Sequence, residues 1–377
     1  MDRKEEKIIY HIDVNSAFLS WSAVDRLKNG EEIDLREVPA VVGGDEKARH
    51  GIVLAKSIPA KKYNIHTGEA LLTARQKCPD LVIVPPSYSL YVKCSMALMR
   101  LLKEFSPDLE QYSIDECWLN MTGTGKLYGS PVVMAHILKQ KIYEQLGFTV
   151  NVGVSTNKLL AKMASELKKP NYVHTLFPNE MESKMWPLPV GELFGVGRAT
   201  HSKLMKMGIT TIGELAKADP IILKHHFKSY GEVIWAYANG IDRGIVNPHQ
   251  ARNKGYGNSI TVPYDVITYD QAALVYLSLC ETVCTRLRMD QVYISCVSVS
   301  FVTWEFFHTS HQMQLLSETN VTEEIHEAVM RLFVQLWDGK TPLRQLGVHT
   351  SKVKENSTRQ YHLFDKERYL KDRKSVV

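Results

Sequence analysis

The sequence lacks what would take it out of the ordinary globular class. None of its 377 residues falls in an apolar run approaching the roughly 18 residues of a membrane span, so a helical membrane protein is not expected. Met1 to Lys7 is charged, not a basic segment leading into an apolar core; no secretory leader is read, and the cytoplasm is the expected compartment. No tandem repeat or low-complexity tract is visible. Cysteine is scarce. The six thiols (Cys78, Cys94, Cys117, Cys280, Cys284, Cys296) lack the close paired spacings of zinc sites and disulfide scaffolds. Cys280 and Cys284 stand four apart on an expected helix and could share a ligand face, but two neighbouring buried thiols are the commoner meaning. A net charge of +5 is too small to identify a polyanionic partner.

What is present is a chain long enough for two to four domains at roughly 150 residues each. Its 44% hydrophobic and 23% charged residues are those of a protein with real cores. Charge distribution says more than its sum. From Lys340 onward ten Lys or Arg face four Asp or Glu, and lysines gather at Lys158, Lys162, Lys168 and Lys169. Solvated faces are the ordinary reading of both groups.

The run from Lys7 to Asp13 reads as a strand, a short apolar and β-branched segment ending on a carboxylate. A helix is expected from Asn15 to about Lys28. Residues 29 to 80 alternate short strands (Val38 to Gly43, Gly51 to Ala55) with helical pieces, broken at Gly43-Gly44, Pro59 and Pro79, as in a small inserted lobe. Then follow a strand (Leu81 to Val84), a helix (Tyr88 to Phe105), a strand pair (Leu109 to Met121) with Ser113 to Glu116 at its tip, a helix (Pro131 to Leu146), a strand (Phe148 to Val154) and a helix (Lys158 to Leu167). This order predicts an α+β sheet covered on one face by helices. Residues 170 to 240 read as helical throughout. Gly240 to Gly257 reads as a linker, followed by strands (Tyr256 to Val262, Val292 to Thr303, Gln312 to Leu316) and two helices (Tyr269 to Met289, Val321 to Leu336) of a smaller α+β domain.

Phosphoryl transfer by two metal ions needs carboxylates that hold the ions roughly 3.5 to 4 Å apart. Asp13 with Asp115 and Glu116 could do this. An Asp closing an apolar strand is costly to bury unpaired, which metal ligation would explain. Taken singly, a helix N-cap for Asp13 and a solvated hairpin tip for Asp115-Glu116 remain the simpler readings.

Together, three segments resemble the Y-family translesion DNA polymerases of the DinB/UmuC superfamily: Ile12-Asp13-Val14-Asn15-Ser16-Ala17-Phe18, Tyr112-Ser113-Ile114-Asp115-Glu116, and Asn151 through Ala164. The resemblance runs in consistent order from about residue 8 to 365. It implies a multidomain α+β right hand with a ferredoxin-like palm (1 to 28 and 79 to 168), small fingers (29 to 78), a helical thumb with a helix-hairpin-helix (169 to 240), a linker (241 to 255) and an α+β little finger (256 to 350), then a basic tail (351 to 377). It implies that Asp13, Asp115 and Glu116 are catalytic and hold two Mg²⁺ ions with the backbone carbonyl of Val14. Phe18 would be the steric gate that collides with a ribose 2′-hydroxyl; a core phenylalanine is its bland alternative. Lys158 would reach the incoming triphosphate as a mobile point charge. The fingers stretch Gly51 to Lys62 departs from the commoner pattern, with Ile58 for a tyrosine and Lys61 for an arginine, as in the UmuC-type branch. Losing a hydroxyl and a bidentate guanidinium weakens phosphate contact while Lys61 keeps the charge. Asn15 likewise replaces a frequently acidic residue, and Ala17 a frequent aromatic.

Gly191 to Arg198 resembles a helix-hairpin-helix, in which the turn at Gly195, Gly197 and Arg198 meets a DNA phosphate; a plain helical turn is the alternative. Gln360-Tyr361-His362-Leu363-Phe364 is similar to bacterial sliding-clamp ligands, with Gln360, Leu363 and Phe364 as contacts. The expected activity is low-fidelity, template-directed addition of deoxynucleoside triphosphates to primer-template DNA, by a monomer that uses a sliding clamp and no membrane. Ile58 and Lys61 motivate a second reading, a non-catalytic adaptor that kept the fold to hold DNA and clamp. A two-metal nuclease or cyclase is a third, disfavoured by Phe18 and the Lys158 motif.

Overall fold

The structure, a computed structural model, describes residues 7–45, 49, 51–249 and 252–355. They belong to two compact units, one spanning residues 1–44 and 52–250 and the other residues 45–51 and 251–377.

The first unit opens with β1 (Ile9–Val14) and α1 (Ala17–Lys28), then β2 (Ala40–Gly43), β3 (Val53–Lys56), α2 (Ile58–Lys61), α3 (Leu71–Lys77) and β4 (Val82–Val84). The strands β3-β2-β4 form a small sheet of their own, which corrects the expected end of the inserted lobe at residue 78: β4, expected in the larger sheet, pairs with β2 instead. Next come α4 (Tyr88–Lys103), β5 (Leu109–Gln111), β6 (Glu116–Asn120), α5 (Gly125–Tyr128), α6 (Pro131–Leu146), β7 (Val150–Ser155), α7 (Lys158–Glu166) and β8 (Val173–Thr175). The main sheet has the order β5-β6-β1-β7-β8, so β1 lies at its centre, antiparallel to β6 and β7.

Alternation along these strands separates two faces. Tyr10, Ile12, Val14, Leu119, Val152 and Val154 join one apolar core with Tyr91, Leu98 and Leu102 of α4 and Met134, Leu138 and Ile142 of α6. His11, Asp13 and Glu116 belong to the other face, which α7 covers. The sheet is therefore covered on both faces, not one as the element order suggested. Gly153 makes this second layer possible: a Cβ there would lie 1.9 Å from the Ala161 carbonyl oxygen and 2.5 Å from the Ser165 amide nitrogen. Asn157 caps α7, its side chain accepting from the Leu160 N–H at 2.8 Å.

Beyond β8, which pairs in parallel with β7, come the short helices α8 (Met181–Lys184), α9 (Arg198–Lys206), α10 (Ile212–Lys217), α11 (Pro220–Phe227) and α12 (Ser229–Ala238). Their core includes Leu159, Leu160 and Met163, so α7 is shared between the sheet and the helical domain. The expected start of the helical domain at residue 169 is corrected by β8, three residues with no visible period that belong to the main sheet.

The second unit contains β9 (Gly255–Val266), α13 (Tyr269–Met289), β10 (Tyr293–Thr303), β11 (His308–Thr319), α14 (Thr322–Leu336) and β12 (Leu343–Lys354). Its sheet runs β11-β10-β12-β9, and α13 and α14 bury Tyr276, Leu279, Val329 and Phe333 against it. The expected end of this domain at residue 350 is corrected: β12 continues to Lys354, where Ile294 pairs Val353 and Tyr293 pairs Lys354. Lys352 and Lys354, read as the start of a basic tail, are residues of a paired strand. Cys280 and Cys284 are buried in this core as free thiols, and burial pushes the Cys280 thiol up to about 12, which suits packing and not metal ligation.

Candidate active site

The catalytic candidates follow from strand register. Asp13 pairs Glu116 across the β1–β6 ladder and Asn151 across the β1–β7 ladder, so three polar residues stand in one row at the sheet's edge. Asp115 precedes β6 in a tight turn whose Ser113 hydroxyl donates to Asp115 Oδ1 at 2.6 Å and accepts from the Glu116 amide at 3.1 Å. A cavity of about 520 Å³ opens over this edge, and Asp13, Val14, Asp115 and Glu116 all line it. Its opposite wall comes from Leu54 to Ile58 and Lys61 of the small lobe, and Phe18, Lys169 and Pro170 complete it.

Phe18 lies in the first turn of α1, its ring stacked on Tyr91 with centroids 4.4 Å apart and an angle of 6° between planes. That stack fixes one face of the ring while its residue borders the cavity. Lys61 ends α2, whose start is capped by Ser57 accepting from Ala60 N–H at 3.1 Å. Ile58 lines the cavity beside it.

The carboxylates are not left bare. Lys169 donates to Asp13 Oδ2 and, at 2.9 Å, to Glu166. Lys162 donates to Glu116 Oε2, which also lies 3.2 Å from His11 Nε2. His11 is wholly buried, its Nδ1 lies 2.7 Å from the Ser165 hydroxyl, and burial lowers its proton affinity. Nε2 donates to the Glu116 carboxylate, which can only accept, while the single proton of the Ser165 hydroxyl is shared between Nδ1 and the Lys162 carbonyl 2.8 Å away. Burial pushes Asp13 up to about 6 despite Lys169 beside it. Burial also pushes on Glu116, but the His11 and Lys162 hydrogen bonds outweigh it and bring that carboxyl down to about 2.

Among the described residues no group of three His, Cys, Asp or Glu converges into a ready cage for a metal ion. That arrangement still fits Mg²⁺, which keeps several waters and takes only one or two protein carboxylates plus substrate phosphates. The donor set is all oxygen, it faces an open cavity, and ammonium groups now meet the charge of two of the three carboxylates.

Lys158 is not brought to this cavity. It begins α7 beyond Ser155, and Ser155 pairs Ile9, at the opposite end of β1 from Asp13. There Lys158 donates to both oxygens of Glu110 at 2.6 and 2.8 Å and lies 4.4 Å from the Trp118 ring. Asp13 lies four residue steps along the strand from Ile9, about 13 Å. The nine residues of α7 return over that same distance, about 13 Å at 1.5 Å each, which brings Lys169 to Asp13. Lys169 is the cation the sequence reading missed; comparing helix length with strand register would have found it.

The expected linker is also partly docked. Leu159 N–H donates to Asp242 at 3.1 Å, Asn157 to the Gly240 carbonyl at 2.9 Å, and Asn247 N–H to Glu110 at 2.8 Å. In the helical domain Gly195 adopts φ +91°, Gly197 caps α9 with open space around its Cα, and Arg198 starts that helix. Gln360, Leu363 and Phe364 lie outside the described residues.

Three family models match the chain in order: the impB/mucB/samB family over residues 12–166, a thumb domain described for DNA polymerase-iota over residues 191–242, and the impB/mucB/samB family C-terminal domain over residues 253–363. A protein named DNA polymerase IV from Clostridium acetobutylicum is 49% identical over 359 residues, 95% of this chain and 90% of that protein. DNA polymerase IV of Moorella thermoacetica is 38% identical over 93% of this chain and 87% of its own length, and DNA polymerase IV 2 of Bacillus subtilis 36% identical over 96% and 88%. Among solved structures, a Y-family DNA polymerase chimera, Dbh-Dpo4(243-245)-Dbh, superposes with a TM-score of 0.79 at 22% identity, covering 93% of this chain and all of that one.

Proposed function

The chain belongs to the Y-family DNA polymerases, the impB/mucB/samB family, and on that footing we propose how its own residues carry out translesion DNA synthesis. It is a DNA polymerase that uses primer-template DNA and deoxynucleoside triphosphates and depends on a divalent metal. The observation that carries the finer reading is one cavity lined by Asp13, Asp115, Glu116, Phe18, Lys61 and Lys169.

Two Mg²⁺ ions, held by Asp13, Asp115, Glu116 and the Val14 carbonyl, would supply charge stabilisation at the attacking and leaving oxygens. Around them the protein positions. Lys169 and Lys61, on opposite walls, take the triphosphate as it enters; Lys169 leaves Asp13 to do so, exchanging a carboxylate for phosphate oxygens at little cost in charge pairing. His11 and Lys162 keep Glu116 ionised and in one rotamer, so its free oxygen faces the cavity. Phe18, braced by Tyr91, fills the space a ribose 2′-hydroxyl would need. The assignment of palm, fingers, thumb, linker and little finger is kept with three boundaries moved: the fingers extend to include β4, the palm to include β8, and the little finger to include β12. Gly195, Gly197 and Arg198 meet a DNA phosphate, and Gln360, Leu363 and Phe364 bind a sliding clamp. A monomer working in the cytoplasm completes the reading; no helix among the described residues is long and apolar enough to cross a membrane.

No observation favours the adaptor. Ile58 departs from the commoner residue, yet the cavity keeps three carboxylates and three lysines, Lys56, Lys61 and Lys169. Primer extension on undamaged DNA with Mg²⁺ and four deoxynucleotides, comparing the wild-type chain with Asp115→Ala, tests the site. Extension by the wild type alone supports it; equal extension by both moves the active site elsewhere.

A further inference from the structure

Two buried asparagines bind the segment that delivers Lys169. Asn15 lies two residues beyond Asp13, and Asn151 is Asp13's partner across the β1–β7 ladder. Asn15 is 8% exposed and Asn151 fully buried, so each polar atom they carry needs a partner. The Asn15 Oδ1 accepts from the Asn171 amide at 2.9 Å and from the Thr149 hydroxyl at 3.0 Å. Its Nδ2 donates to Asn151 Oδ1 at 3.1 Å, an oxygen that also accepts from the Tyr172 amide at 3.2 Å. The Asn151 Nδ2 in turn donates to the carbonyls of Ser165 at 2.9 Å and Lys168 at 2.6 Å.

Four backbone groups, at positions 165, 168, 171 and 172, are thus tied to two side chains, and they bracket Lys169 on both sides. Backbone carbonyls only accept and backbone amides only donate, which fixes the orientation of both carboxamides. No carboxylate can replace either one in this arrangement. At 151 it would turn an oxygen against the Ser165 and Lys168 carbonyls; at 15 it would turn one against Asn151 Oδ1. Asn15 and Asn151 are a matched pair, and the frequent acidic residue at position 15 is incompatible with Asn151 as oriented here.

We propose that Asn15 and Asn151 are positioning residues for nucleotide binding, acting through Lys169 by holding residues 168 to 172 against the catalytic strand. The proposal rests on the reading of Lys169 as a triphosphate ligand. Its consequence is a coupling. Releasing the segment raises the KM for deoxynucleotide by forfeiting what Lys169 contributes, and forfeits nothing further once Lys169 is gone.

The test is steady-state primer extension with Asn15→Ala and Asn151→Ala, each made with Lys169 intact and with Lys169→Ala, alongside hydrogen exchange at the Asn171 and Tyr172 amides. Asn15→Ser is the milder variant should Asn151→Ala fold poorly. With Lys169 intact, KM is expected to rise about tenfold with kcat changed far less, the size of one charge-assisted contact. In the Lys169→Ala background KM should not rise again, while amide exchange speeds in both. An equal KM rise in both backgrounds overturns the proposal, because the asparagines then act on general structure. A rise for Lys169→Ala but none for the asparagine variants also overturns it and leaves the Lys169 reading standing. No rise for Lys169→Ala alone defeats that reading, and the proposal with it.

Discussion

Asp13 and Glu116 face each other across the β1–β6 ladder, yet the fold drives their proton affinities apart, Asp13 up to about 6 and Glu116 down to about 2. A carboxyl raised above its unfolded value of 3.8 contributes stability below that value and loses it as pH rises through about 6. One depressed below 4.5 contributes stability above 4.5 and loses it as pH falls through about 2. At pH 7.5 without metal, ionised Asp13 is therefore a burden and ionised Glu116 a support. Asp13→Asn should stabilise the fold and Glu116→Gln destabilise it, each by roughly 1 to 3 kcal/mol, with the melting temperature rising and falling accordingly. Calorimetry in chelator checks this, and shifts of the same sign would contradict it.

Phe18 is held by its stack on Tyr91 and borders the cavity. Phe18→Ala removes the ring and should admit ribonucleotides, raising their incorporation relative to deoxynucleotides at least about tenfold, since a steric clash is the discriminating element. Single-nucleotide insertion assays with matched sugar pairs measure the ratio. Unchanged sugar preference would mean that the ring serves the core alone.

Much of this was legible in the sequence because it is local. The α6 and α13 spans match the helices expected at Pro131 to Leu146 and Tyr269 to Met289, and the apolar runs of β1 and β7 follow from their composition. Asp13, Asp115, Glu116, Phe18 and Lys61 share a cavity because short motifs close elements whose ends coincide. What stayed hidden depends on register between distant segments. Nothing near Lys158 says that its strand ends beside Ile9 and away from Asp13, and nothing near Lys169 says that it returns. Likewise β12 carries its basic residues among Leu343, Leu346 and Val348, and only pairing with β9 and β10 distinguishes it from a solvated tail.

Gly153 is where α7 approaches the sheet too closely for any side chain, since the two nearest atoms that a Cβ would meet, Ala161 O and Ser165 N, are backbone. Gly153→Ala must lift the helix that carries Lys162 and leads to Lys169. A loss of about 2 kcal/mol or more is expected, at the upper end of overpacking costs, together with loss of primer extension. Denaturant unfolding with parallel activity assays tests both; full stability with full activity would refute the contact.

The proposed clamp contacts Gln360, Leu363 and Phe364 are not among the cavity-lining residues, which fall between 13 and 170, so the two proposed activities can be tested apart. Replacing Leu363 and Phe364 by Ala should abolish capture on an immobilised bacterial sliding clamp and leave clamp-free extension unchanged. Retained capture would show that the motif is misread.

Lys158 offers the sharpest separation of roles. Its ammonium meets both oxygens of Glu110, and Glu110 also accepts the Asn247 amide, so Lys158 braces the start of the connection to the second unit. The pair is 17% and 23% exposed, enough solvent to limit its worth to about 1 kcal/mol. Lys158→Ala should therefore leave the KM for deoxynucleotide within about twofold, while the Asn247 amide exchanges faster as Glu110 loses its cation. A tenfold rise in KM with unchanged exchange at Asn247 would return Lys158 to the triphosphate, and would mean that α7 moves when the nucleotide binds.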